Sequence, residues 1–250
     1  CGGARRQRGP SFLTISRYTT GLRRMRGLYN SNVDRVLVVG GSPDRSSANA
    51  IRCAARGCAR IVAVDRGLDA VLDAGLSCDL FCGDADTVGE RGLRLVEAAQ
   101  SRSEAASFEV ERYDPHKDAT DLALALRAIE KRWPRAEVVC TCVSGGAPDH
   151  ALGVFGRLAG ARASVRVIED DFEARILRAG DDWEIDTACG RRFSCIPLSA
   201  GAEVSEQGFC WNIDHAQMPL LSDWGISNVV EASRACVRCH EGIIACWLFG

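Results

Sequence analysis

Between residues 35 and 170, short apolar runs alternate with stretches of helical spacing, and that alternation dictates a parallel sheet covered on both faces by helices. Arg35 to Val39, Arg60 to Val64, Leu80 to Cys82, Phe108 to Arg112, Glu137 to Val143 and Val165 to Ile168 read as strands. Ser46 to Arg56, Leu68 to Ala74, Arg91 to Ala99, Ala119 to Arg132 and His150 to Leu158 read as the helices between them. In an open sheet of this kind the ligand site lies beyond the carboxyl ends of the strands. Past about residue 170 the texture changes. Ala174 to Leu177, Trp183 to Asp186, Phe193 to Ile196, Glu203 to Val204 and Gly242 to Phe249 read as strands divided by turns, with no long helical stretch. The expected fold class is α/β: a parallel-sheet, Rossmann-like domain over residues 33–170, then a smaller all-β domain over residues 171–250.

The polar signals gather just after the expected strands. Asp65 ends the second, Gly83-Asp84-Ala85-Asp86-Thr87 follows the third, Lys117-Asp118-Ala119-Thr120-Asp121 the fourth, and Gly145-Gly146-Ala147-Pro148-Asp149-His150 the fifth. Four consecutive strand ends thus deliver carboxylates to one edge of one sheet, where their repulsion is costly unless cations bind. Asp84 and Asp86, one residue apart, can share a hard metal ion, and Gly83 permits a tight turn before them. A solvated turn accounts for the same string. Asp118, Thr120 and Asp121 suit a helix N-terminus, where capping and phosphate binding through Mg2+ can coexist. Lys117 is one of two lysines in a chain whose other basic residues are arginines, and a compact ammonium there fits a phosphate contact. Asp149 and His150 read equally as an N-cap aspartate beside a surface histidine, or as a metal or substrate group beside a loop-orienting histidine.

Charge excludes some functions. The formal net charge is -2, but residues 1–26 hold seven arginines and no acid, so the remainder carries 24 basic against 33 acidic groups. An acidic body argues against a nucleic-acid face and suits a site that collects metal cations. No run approaches the roughly 20 apolar residues of a membrane-spanning helix. The thirteen cysteines are odd in number and many lie in apolar segments, so they are expected to be reduced thiols in a cytoplasmic protein. Residues 1–32 are expected to be a basic, disordered arm or a misplaced start, with Met25 the natural first residue.

The strings "VDRG", "CDLFCGDADT", "HKDATDLALAL", "GGAPDHALGVFGRL", "FSCIPL" and "GISN", in this order from Asp65 to Asn228, resemble the motif series of thiamine pyrophosphokinases. That resemblance implies an N-terminal α/β domain, a C-terminal β-sandwich and a homodimer whose active site draws on both subunits. It implies a Mg2+-dependent enzyme with ATP as co-substrate, which moves a diphosphate group to the hydroxyl of thiamine and releases AMP. Asp84, Asp86 and Asp121 match the family's metal and phosphate carboxylates, with Asp65, Asp118, Thr120 and Asp149 beside them. Ser227 and Asn228 match the motif near the thiamine site. Trp224 is either an aromatic surface for the thiamine rings or a residue of the sandwich core. The family commonly has Arg where Ala147 stands, so Arg45 or another arginine replaces that cation, or activity is altered.

Cys236-Val237-Arg238-Cys239-His240 matches haem-attachment and zinc-like spacings, but it lacks a second cysteine pair and is expected to be plain strand. Two other classes fit parts of the chain. Val36 to Ser42 with Asp65 resembles half of a Rossmann-type nucleotide-binding or methyl-transfer domain, though without a complete G-x-G-x-x-G. A catalytically inactive thiamine-binding homologue is the other.

Overall fold

The computed structural model describes residues 34–101, 108–114 and 118–250. The basic arm and Lys117 therefore lie outside the described residues. The first half runs β1 (Arg35–Val39), α1 (Ala48–Ala54), β2 (Arg60–Val64), α2 (Gly67–Asp73), β3 (Leu80–Gly83), α3 (Glu90–Gln100), β4 (Glu109–Arg112), α4 (Asp121–Arg132), β5 (Glu137–Thr141), α5 (Pro148–Ala159) and β6 (Val165–Ile168). After it come β7 (Phe172–Arg178), β8 (Asp182–Asp186), β9 (Arg192–Pro197), β10 (Ala202–Gln207), β11 (Ile213–Met218), β12 (Gly225–Val229), β13 (Arg234–Glu241) and β14 (Ile243–Phe249).

Among the described residues these strands form two sheets. A ten-stranded sheet has the order β12-β9-β14-β7-β6-β5-β1-β2-β3-β4, and a four-stranded sheet the order β11-β10-β13-β8. From β6 to β4 the pairing is parallel, from β6 to β12 it is antiparallel, and the smaller sheet is antiparallel throughout. The chain steps outward from β1 to β4, then returns to place β5 on the other side of β1. The strand order therefore reverses between β1 and β5, and open sheets of this kind hold their ligand in a crevice at the carboxyl edge of that reversal.

Strand alternation explains the layers. Val36, Val38, Val62, Val64 and Leu80 pack with Leu126 and Ile129 of α4 and Phe155 and Leu158 of α5. Their neighbours Leu37, Val39, Ala63 and Phe81 pack on the opposite face with Ile51, Leu68, Val71 and Val96 of α1, α2 and α3. A third core lies between the sheets, where Phe193, Ile244 and Cys246 meet Trp183, Val204 and Val237. Phe193 and Phe209 are fully buried, with ring centroids 4.6 Å apart. Each buried ring contributes about 1.5–3 kcal/mol of apolar burial. Strands β7 and β14 belong to two cores at once. Ala174, Ile176 and Ala245 face the helices, while Leu177, Ile244 and Leu248 face the smaller sheet.

The apolar alternation does not predict β11 or β12: β11 carries Asp214 and His215 side by side on exposed positions, β12 exposes Ile226 and buries Asn228, and both are broken by register shifts. The twelve described cysteines are free thiols. Cys236 and Cys239 stand three residues apart on one strand, so they point to opposite faces, and Cys239 is buried in the core between the sheets.

Candidate active site

Asp65 follows β2 directly and adopts a left-handed backbone, φ 47°. Its amide donates to the Cys82 carbonyl at 3.1 Å, which ties it to the end of β3. There the carboxylate lies over Gly83, whose φ is +153°; a Cβ on that glycine would fall 1.8 Å from Asp65 Oδ1. Only glycine leaves room for the carboxylate. Asp65 Oδ1 is buried and has no hydrogen-bond partner. Burial first, then the charges of Asp121 and Asp84 and a shared hydrogen bond with Asp121, raise the Asp65 pKa to about 7, against a smaller opposing effect of the Ala85 N–H.

Asp121 opens α4, and one of its carboxylate oxygens is also shut off from solvent. Asp84 is half-buried and its Oδ1 accepts from the Asp86 amide at 3.2 Å, while Asp86 is exposed. Between them Ala85 is buried at φ 65°, a conformation that costs an alanine free energy. Asp65, Asp84 and Asp121 therefore converge, brought from three successive strand exits. Three hard oxygen donors with a buried, unbonded oxygen and a pKa raised by burial and then by mutual repulsion fit a hard dication such as Mg2+. The raised pKa has a stability consequence. Below pH 4 both folded and unfolded chains hold the Asp65 proton, whereas between about pH 4 and 7 only the folded chain keeps it, so stability contributed there is lost as pH rises. Metal-free protein is expected to melt at falling temperature across that window, and Asp65→Asn to flatten the slope; thermal unfolding at graded pH measures it.

The remaining expected residues divide. Thr120 is the N-cap of α4, its Oγ1 accepting from the Ala123 amide at 3.2 Å, and Asp118 is exposed in the preceding turn. The capping role of Thr120 is thus realised. Asp149 is not an N-cap: Pro148, whose nitrogen carries no proton, takes the first helical position of α5, so Ala147 is the cap and Asp149 sits in the first turn. Asp149 and His150 are both exposed there, on the β5 side of the crevice. Arg45, a proposed replacement for a cation at Ala147, approaches Asp69 at 3.8 Å and Asp73 at 3.7 Å instead.

The crevice loops are held by residues that the motif strings do not contain. Glu169, just past β6, accepts from the amides of Cys142 (2.9 Å), Val143 (3.0 Å) and Ser144 (3.1 Å), and from the hydroxyls of Ser144, Ser46 and Thr141. Three consecutive amides on one carboxylate form an anion nest, and they fix Cys142 at φ 53°. Asp44 accepts from the Gly146 amide at 2.7 Å, and Ser42 donates to the Ser144 carbonyl at 2.5 Å, so the β1 and β5 exits are joined. Glu169 follows an apolar strand just as Asp65 does, and that position was the available signal.

A second concavity, of about 370 Å3, lies in the second half and is lined by Glu206, Trp211, Ile213, Trp224, Ser227 and Asn228, among others. Trp224 is 73 % exposed and Trp211 66 %, so Trp224 is not a core residue. Glu206 is 1 % exposed, and its Oε2 accepts from Asn228 Nδ2 at 2.8 Å while Oε1 is buried without a partner. Burial raises its pKa to about 7, with the Asn228 bond opposing. Asn228 is saturated by protein: Nδ2 also donates to the Trp211 carbonyl at 2.8 Å, and Oδ1 accepts from the Trp211 and Val229 amides. It shapes the concavity. Ser227 has φ 64° and its amide donates to Ser194 Oγ at 3.1 Å.

Comparison with known proteins points to one family. Residues 53–168 match the model of the thiamin pyrophosphokinase catalytic domain. The thiamine pyrophosphokinase of Bacillus subtilis (strain 168) is 30% identical over 189 residues, covering 73% of this chain and 84% of that protein. A crystal structure of thiamine pyrophosphokinase from Bacillus subtilis superposes with TM-score 0.69 at 25% identity, covering 86% of this chain and 99% of that one. The thiamin pyrophosphokinase of Candida albicans shares the fold at TM-score 0.67 and 13% identity, covering 86% of this chain and 90% of that one. With the carboxylate edge, the loop crevice and these relatives taken together, the chain belongs to the thiamine pyrophosphokinase family.

Proposed function

We propose that this chain transfers diphosphate from ATP to the hydroxyl of thiamine, giving thiamine diphosphate and AMP. The observation that carries the reading is the convergence of Asp65, Asp84 and Asp121 around a buried, unbonded carboxylate oxygen. These three residues, with Asp86, would hold Mg2+, which when bound supplies charge neutralisation at the phosphate oxygens. Asp86 or Asp121 accepts the proton of the attacking hydroxyl. The first turn of α4 presents backbone amides beside Asp121, and the crevice between the β1 and β5 exits takes the nucleotide. Lys117, Asp118, Asp149 and His150 are proposed as further phosphate or substrate contacts. Positioning and charge neutralisation supply most of the rate.

Thiamine carries a cationic ring, and the concavity between Trp211 and Trp224 over Glu206 offers aromatic faces and a buried carboxylate to such a ligand. Trp224→Ala is expected to raise the KM for thiamine about tenfold with kcat little changed, since a face contact of this kind stabilises ground and transition states alike. Steady-state kinetics with varied thiamine measures it; an unchanged KM removes Trp224 from the site. The N-terminal half is proposed as a Rossmann-like nucleotide-binding domain and residues 171–250 as a β-sandwich domain. A homodimer is proposed, supported by the exposed Trp211, Trp224 and Ile226 that line that concavity and by the exposed Leu220 and Leu221 of the β11–β12 connection. A cytoplasmic setting is supported by the free thiols; among the described residues no helix is long and apolar enough to cross a membrane. The test is AMP formation from ATP and Mg2+ with and without thiamine. Thiamine-dependent AMP supports the reading, and its absence from folded protein favours an inactive homologue.

A further inference from the structure

We propose that the outer face of the four-stranded sheet carries a binding site for a transition-metal dication such as Zn2+, built from Glu203, His215 and His240. Each of these residues offers one ligand atom, and the three atoms lie within 4.8 Å of one another. They come from β10, β11 and β13, three hydrogen-bonded neighbours.

Two irregularities in the sheet create the cluster. Along β10, the step from Glu203 to Val204 spans two residues of β13, from Glu241 to Cys239, and His240 is the extra residue. The two steps from Val204 to Glu206 span three on β11, from Ala216 to Ile213. The bulge leaves both Asp214 and His215 exposed, and His215 takes φ 47°. Bulges re-aim side chains at a cost to the ladder. Here both aim an imidazole at the same spot.

The two rings stack at 3.9 Å between centroids, with planes 20° apart. Two protonated imidazoles stacked this closely repel; an ion bonded to both rings lies in the plane of each, so its binding turns the two rings out of the stack. Glu203 supplies the anionic oxygen and contacts His215 Nδ1 directly, while its other oxygen accepts from Gln217 Nε2 at 2.7 Å. Ser205 Oγ lies 2.8 Å from His240 Nε2, donates to Asp214 Oδ1 at 3.2 Å and accepts from the His215 amide at 2.9 Å. It orients the cluster as outer-shell hydroxyls and carboxylates orient metal-bound histidines. Two imidazoles and one carboxylate form a borderline-soft donor set that prefers Zn2+ to Mg2+ and leaves a coordination position open. The all-oxygen edge at the ends of β2 and β3 has the opposite preference.

The experiment is calorimetric titration of the full chain with Zn2+ in buffer saturated with Mg2+. Wild type is expected to bind one equivalent at this site, and His215→Ala, His240→Ala and Glu203→Gln each to weaken that binding at least about tenfold. A Cys189→Ser, Cys210→Ser double variant keeps it, because those exposed thiols are not ligands. Replacing Zn2+ by Co2+ in wild type is expected to give ligand-field bands without a thiolate charge-transfer band, a readout that needs no variant. Zn2+ is also expected to raise the melting temperature of wild type and not of His240→Ala. Failure of wild type to bind Zn2+, wild-type affinity in all three ligand variants, or a thiolate band lost in the cysteine variant would overturn the assignment.

Discussion

Asp84→Asn and Asp121→Asn are each expected to lower kcat at least about 1,000-fold, equivalent to roughly 4 kcal/mol of transition-state stabilisation, while the fold survives. Each change removes one anionic donor from a group proposed to hold positive charge against phosphate. Size and most hydrogen-bonding capacity are kept. In metal-free buffer the same variants should be at least as stable as wild type, because one repelling charge beside Asp65 is gone. Loss of activity with gain or retention of stability distinguishes a metal role from a structural one. Wild-type turnover in both purified variants would refute the carboxylate edge as the reactive centre.

Glu169→Ala is expected to act on the fold first. Its carboxylate satisfies three consecutive amides and three hydroxyls at the β5 exit, so truncation leaves buried donors without a partner. The expected cost is about 3–5 kcal/mol, with the melting temperature lower by on the order of 10 °C. The crevice loop should loosen as well, raising the KM for ATP. Glu169→Gln keeps the shape but turns an amide group toward some of the donors, so it should fall between wild type and alanine. Thermal unfolding and ATP-varied kinetics measure both effects. A Glu169→Ala protein that melts and turns over like wild type would mean that the loop is held by other contacts.

The two variants show what the sequence makes visible. Asp65, Asp84 and Asp121 are legible because each follows an apolar strand or opens a helix, and a parallel sheet sends all such ends to one edge. Glu169 occupies an equivalent position after β6, but its role depends on a nest of backbone amides, which no residue string displays. The N-cap alternative for Asp149 fails by two positions, because the proline before it claims the start of α5 and Ala147 is the cap. The strands of the first half were readable from runs such as RVLVV and RIVAV, which are apolar throughout because helices cover both faces. β11 and β12 were not, since bulges and a wet face dilute the apolar alternation there. For the same reason the Glu203, His215 and His240 cluster is scattered in sequence and assembled only by strand pairing.

The most direct test of the central claim follows the phosphorus: 31P NMR of ATP, Mg2+ and thiamine with the purified chain, and with Asp121→Asn as the control. The account predicts thiamine diphosphate and AMP appearing together in equal amounts, with no ADP, and neither in the control. ADP with orthophosphate, or a wild-type spectrum that does not depend on thiamine, would contradict it.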